Sequence, residues 1–147
     1  MRVLVVDDDP GMRHLLTRRL SVEGEVVAAA SAAEAYALIE HEAYDVVVLD
    51  IYMPGETGIE LARRIQARWP TIPLVVITGA SLDQESLIQE CLQAGAESVI
   101  FKREFHTFLS ELQQTIECVT SAEQSFDRTG SEITKVKEKW HRRRSGQ

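Results

Sequence analysis

The sequence predicts an α/β fold, a (βα)₅ three-layer sandwich built on a five-stranded parallel sheet. Three observations lead there. Five short apolar runs rich in β-branched residues recur along the chain, segments with helical spacing alternate with them, and the central runs are apolar without polar interruption. A strand that is apolar on both sides is covered on both faces, which is the situation of a parallel sheet flanked by helices.

The first strand is Val3 to Val6, and Asp9-Pro10 then offers an N-cap with proline at the first helical position. Met12, Leu15, Leu16 and Leu20 give the first helix its apolar stripe. Glu25 to Ala28 reads as the second strand. Ser31 with Glu34 forms a capping-box pattern ahead of Ala35, Leu38 and Ile39. Val46 to Leu49 is the third strand, followed by a helix carrying Leu61, Ile65 and Trp69. Leu74 to Ile77 is the fourth, and its helix carries Ile88, Cys91 and Leu92. Gly95 stands where a left-handed helix end is wanted. The fifth strand is Ser98 to Phe101, and Phe105, Phe108, Leu109, Leu112 and Ile116 mark the last helix.

A chain of 147 residues, 44% of them apolar, suffices for one packed domain but not for two of ordinary size. The domain is expected to span residues 1–119. Residues 120–147 read as a basic tail or linker, partly helical or disordered, into which the last helix runs some way. Ile133, Val136 and Trp140 form a thin stripe there at spacing i, i+3, i+7, ahead of Arg142-Arg143-Arg144. Up to Val119 there are nine Lys and Arg against nineteen Asp and Glu, a net −10, whereas Thr120 onward has seven against four, a net +3. Direct nucleic-acid binding through so acidic a body is not expected, and the tail is too short for a winged helix or helix-turn-helix domain. The opening residues carry no basic n-region, and no apolar run is long enough to span a bilayer, so no export or membrane span is expected. Cys91 and Cys118 have no metal-motif spacing, consistent with reduced thiols and a cytoplasmic location.

In an open parallel sheet the ligand site lies beyond the carboxyl ends of the strands where the strand order reverses, here between strands one and three. Strand one ends in Asp7-Asp8 and strand three in Asp50, so three carboxylates converge on one edge and their repulsion needs an offset. Mg²⁺ supplies one, since it takes oxygen ligands, typically one or two carboxylates together with a phosphate oxygen. The plainer reading of the acidic run is helix capping; that reading is preferred for Asp9 but not for Asp7 and Asp8 taken with Asp50. Strand four brings the hydroxyl of Thr78, followed by Gly79, which would let the backbone pass close to an anion. Strand five brings Lys102, whose ammonium can reach toward Asp50 and counter phosphoryl charge.

These residues carry a resemblance. Val5-Val6-Asp7-Asp8, Asp50-Ile51-Tyr52-Met53-Pro54 with Gly58 four beyond the proline, Thr78-Gly79, Gly95-Ala96 and Lys102 together look like the receiver domain of two-component response regulators, over roughly residues 1–119. The resemblance implies a flavodoxin-like, chemotaxis-receiver-like domain with strand order 2-1-3-4-5 and Asp50 as phosphoacceptor. It also implies Mg²⁺ held by Asp8, Asp50 and the main-chain carbonyl of Tyr52, with Asp7 acting through water, and Thr78 and Lys102 on the phosphoryl oxygens. The donor would be a sensor histidine kinase or histidine phosphotransfer protein docking beside the first helix and the strand-five loop. Output would pass to an unidentified protein partner or a missing effector domain, and a phosphorylation-linked homodimer is among the forms implied. Such a domain is not an enzyme in the usual sense: it catalyses only its own phosphorylation and slow dephosphorylation, with Tyr52 and Ala80 as rate tuners.

Two positions depart from the family pattern. Arg103 replaces the proline usual after the strand-five lysine; a cis bond without proline costs about 2.5–4 kcal/mol, so the Lys102–Arg103 bond is expected to be trans. Val99 replaces an aromatic that commonly turns inward on activation, which leaves a backbone shift of the Thr78–Ser81 loop as the route of relay. The competing reading is a degenerate receiver that carries no phosphate and serves as a protein-binding scaffold. A more remote one is a haloacid-dehalogenase-like phosphatase, matched by Asp7-x-Asp9 but opposed by Gly11 where threonine or valine is usual.

Overall fold

The computed structural model describes residues 1–22, 24–79, 84–102 and 105–126. Five strands, β1 (Arg2–Val6), β2 (Glu25–Ala29), β3 (Val46–Asp50), β4 (Leu74–Thr78) and β5 (Ala96–Phe101), alternate with five helices, α1 (Pro10–Leu20), α2 (Ala32–His41), α3 (Gly58–Arg68), α4 (Gln84–Gln93) and α5 (Phe105–Phe126). All strands are parallel and ordered β2-β1-β3-β4-β5, the expected flavodoxin-like arrangement.

Side chains alternate across the sheet at period two and create two cores. Leu4, Val6, Val47, Leu49, Val76 and Val99 pack toward α2, α3 and α4. Val3, Val5, Val48, Val75, Ile77 and Ile100 pack toward α1 and α5 with Leu16, Phe108, Leu112 and Ile116. Every residue of β3 and β4 is buried, which explains their unbroken apolar runs. In β2, at the sheet edge, only Ala29 is fully buried.

The local signals act as the sequence suggests. Asp9 caps α1 by accepting from the Gly11 amide at 3.0 Å, with Pro10 at the first helical position. Ser31 accepts from the Glu34 amide at 3.2 Å, and Glu34 reaches back to the Ala30 amide at 3.1 Å, one residue before the cap. Gly95 has φ +109°, the left-handed turn between α4 and β5. Trp69 differs from expectation: it is the C-cap of α3 rather than a helical residue, because Pro70 disfavours the helical region for the residue before it. Its ring lies 5.2 Å from that of Tyr36, so the apolar contact survives outside the helix.

α5 continues without a break across Val119 to Phe126. Cys91 is buried, Cys118 half-buried, and both are free thiols. Among the described residues no helix is long and apolar enough to cross a membrane. The Lys102–Arg103 bond, Ala80 and Ser81, and the stripe of Ile133, Val136 and Trp140 lie outside the described residues.

Candidate functional site

The strand register decides which side chains meet. Val6 pairs with Leu49, Asp50 with Ile77 and Thr78 with Phe101, so Asp7, Asp50, Thr78 and Lys102 arrive together at the carboxyl edge of four adjacent strands. Carboxylate oxygens of Asp7, Asp8 and Asp50 lie within 4.8 Å of one another. Asp7 and Asp50 are buried and Asp8 is exposed, so the cluster opens to solvent on one side.

Lys102 joins the two buried acids. Its Nζ lies 3.3 Å from Asp7 Oδ2 and 3.3 Å from Asp50 Oδ1. The base of its stem is held by the Lys102 amide, which donates to the Thr78 carbonyl at 2.8 Å. Thr78 is fully buried at the end of β4. Tyr52, two residues beyond Asp50, is 59% exposed.

Burial pushes the Asp50 carboxyl up from 3.8 to about 6, and the neighbouring charges of Asp7 and Asp8 add to that, while the Lys102 ammonium opposes it. Three carboxylates against one ammonium leave a surplus of negative charge in a partly desolvated cleft. That oxygen-rich, under-neutralised donor set suits a hard divalent cation such as Mg²⁺, and Asp7, Asp8 and Asp50 are the side chains placed to hold it.

Two supporting residues were not legible as such in the sequence. Arg13 on α1 donates from Nη1 to the Asp7 carbonyl at 2.8 Å and, with the Asp9 amide on Asp7 Oδ1 at 3.0 Å, fixes the turn after β1. A lone arginine six residues after an aspartate gives no signal of this. Gly58 reads in the sequence only as a motif residue four beyond Pro54, yet a Cβ there would lie 2.0 Å from the Asp50 carbonyl oxygen, and its amide donates to the Ile51 carbonyl at 2.7 Å. Gly58 therefore lets α3 start directly against the Asp50 backbone. Thr57 caps that start through the Glu60 amide at 3.2 Å. At Gly79 nothing among the described residues lies within 4 Å of a Cβ built there.

With this geometry in hand, comparison with known proteins is specific. Residues 3–117 match the response regulator receiver domain family. The chain is 39% identical over 100 residues to the hydrogenase transcriptional regulatory protein HoxA of Cupriavidus necator, covering 68% of this chain and 20% of that protein. It is 33% identical over 103 residues to the two-component response regulator PhoP of Pseudomonas aeruginosa, covering 69% of this chain and 45% of that protein. A solved LuxR-family response regulator from Aurantimonas sp. superposes with TM-score 0.74 at 31% identity, covering 82% of this chain and 84% of that one. The chain thus spans less than half the length of either of these curated relatives.

Proposed function

Because the chain belongs to the response regulator receiver domain family, we propose that it is a phosphorylation-dependent signalling switch in which Asp50 accepts a phosphoryl group from a phosphohistidine on a sensor kinase or phosphotransfer protein. The observation that carries this reading is the joint placement of three carboxylates and one ammonium at the strand-order reversal, with Lys102 touching both buried acids.

In the transfer, an Asp50 carboxylate oxygen attacks phosphorus in line while the phosphorus–nitrogen bond to the donor imidazole breaks. Lys102, already 3.3 Å from Asp50, offers its ammonium to a phosphoryl oxygen. Thr78 supplies a hydroxyl donor to another. Asp7, Asp8, Asp50 and the Tyr52 carbonyl would hold Mg²⁺, Asp7 through water, and the ion would neutralise charge on the transferring oxygens. The exposed edges of Asp8 and Tyr52 leave the entry open to a donor side chain. Asp50 must be ionised to attack, so in the absence of metal the reactive fraction falls as pH drops through about 6.

Residues 1–119 form the receiver and residues 120–147 a tail or linker, acting in the cytoplasm, with output through a protein partner or an effector domain. The domain turns over no substrate beyond its own phosphorylation and slow dephosphorylation.

Incubation with acetyl phosphate and Mg²⁺, followed by intact mass measurement, tests the reading. The expected result is a gain of one phosphoryl group, stable in acid and labile in base, that is absent in Asp50→Asn. No gain from acetyl phosphate or from any histidine-phosphorylated donor would overturn it in favour of a non-phosphorylated scaffold.

A further inference from the structure

Of the three carboxylates that converge on the cleft, two are held by a neighbour and one is not. Asp7 and Asp50 are buried, and each meets Lys102 Nζ at 3.3 Å. Asp8 is exposed, and among the described residues its side chain makes no hydrogen bond. A carboxylate in that position explores several rotamers, so whether it reaches a shared ion depends on how its backbone is aimed.

Two contacts aim it. The peptide before Asp8 carries the Asp7 carbonyl, which accepts from Arg13 Nη1 at 2.8 Å. The peptide after Asp8 carries the Asp9 amide, which donates to Asp7 Oδ1 at 3.0 Å. Asp7 is itself tied to β2, since its amide donates to the Ala29 carbonyl at 3.1 Å. Arg13 is anchored in turn by the first intrahelical hydrogen bond of α1, from its amide to the Asp9 carbonyl at 3.0 Å. Its guanidinium is half-buried and pairs with no carboxylate among the described residues, so the Asp7 carbonyl is the partner that accounts for its place. Hydrogen bonds from a charged donor are shorter and stronger than neutral ones, which suits a contact that fixes one peptide plane.

We infer that Arg13 is a positioning residue for the cation: by pinning the Asp7–Asp8 peptide it holds the Asp8 carboxylate toward the oxygens of Asp7 and Asp50. The inference rests on the Mg²⁺ assignment of the proposed function. The sign of the effect separates positioning from charge. A guanidinium beside a cation site repels the ion, so on charge alone its removal would tighten Mg²⁺ binding. On positioning, its removal loosens binding, because the exposed ligand then has to be ordered as the ion arrives.

The test is calorimetric titration of the unphosphorylated full chain with Mg²⁺ alone, in wild type, Arg13→Ala, Arg13→Lys, Asp8→Ala and the Arg13→Ala/Asp8→Ala double variant. Arg13→Ala is expected to raise the Mg²⁺ dissociation constant roughly tenfold. Arg13→Lys, which keeps a donor for the carbonyl, should raise it less, and Arg13→Ala should add nothing in the Asp8→Ala background. Hydrogen exchange of the Asp9 amide in metal-free protein is expected to be faster in Arg13→Ala, and Arg13→Gln serves the same comparisons if the alanine variant unfolds. Unchanged or tighter Mg²⁺ binding in Arg13→Ala, or an equal further loss on top of Asp8→Ala, would overturn the inference and leave phosphorylation of Asp50 standing. A wild type that binds no Mg²⁺ would instead overturn the metal assignment, and this inference with it.

Discussion

Asp50 holds the site under tension at the scale of a single residue. Its carboxyl titrates near 6 in the folded protein against an ordinary 3.8, so the folded state binds protons more readily than the unfolded chain. Stability contributed by this group is therefore full below about pH 4 and lost as pH rises to about 6. Asp50→Asn removes the charge that burial and the two acidic neighbours disfavour. It is expected to be more stable than the wild type at pH 7 by about 1–2 kcal/mol, below the ~3 kcal/mol ceiling for such a displacement, and the advantage should shrink to nothing near pH 4 in urea denaturation. A variant less stable than the wild type at pH 7 would mean that the pairing of Asp50 with Lys102 outweighs the desolvation of the acid. Gly58 argues at the same scale by sterics alone. A methyl group 2.0 Å from the Asp50 carbonyl oxygen forces backbone to move, so Gly58→Ala is expected to lower stability by roughly 1–3 kcal/mol and to slow phosphorylation by acetyl phosphate more than it lowers stability would account for.

Among the elements, the seam between β5 and α5 carries an unresolved expense. Ser98 Oγ on β5 and Thr115 Oγ1 on α5 are both buried and neither has a hydrogen-bond partner among the described residues. Orphan hydroxyls of this kind destabilise the fold that contains them. Thr115→Val keeps the shape and removes the hydroxyl, and it is expected to raise stability by about 1 kcal/mol, measured as a higher urea midpoint at unchanged slope. A lower midpoint would show that the hydroxyl has a partner, such as an ordered water. Helix α4 gives a different kind of expectation. Cys91 lies in the core, and its thiol is pushed up to about 12 by burial, with Glu90 adding to the effect, so it is inert as a nucleophile near neutrality. Iodoacetamide under native conditions should therefore label half-buried Cys118 on α5 well before Cys91, and early labelling of Cys91 would mean that α4 opens.

For the whole molecule, the two cores flanking the sheet hold strand ends that contribute like charges to one edge, so the fold is expected to gain from a cation there. Mg²⁺ at ten times its dissociation constant should stabilise the protein by about 1.4 kcal/mol, seen as a rise in melting temperature that is smaller in Asp50→Asn. Absence of any Mg²⁺ effect would remove the metal from the proposed function. Val99 belongs to this scale as well, fully packed in the core facing α2, α3 and α4.

The order of strands and helices, the caps at Asp9, Ser31 and Gly95, and the identity of Asp7, Asp8, Asp50, Thr78 and Lys102 as edge residues were all legible in the sequence, because they follow from short-range periodicity and from where each apolar run stops. The contacts among those residues were not. That Lys102 bridges Asp7 and Asp50, that Arg13 grips the Asp7 carbonyl, and that Gly58 must yield space to Asp50 depend on strand register and on helices docking across 95, 6 and 8 residues of chain. Periodicity says which face a side chain takes; only the closed fold sets the few ångströms between charges, and those distances decide how far burial and neighbouring carboxylates displace the titration of Asp50.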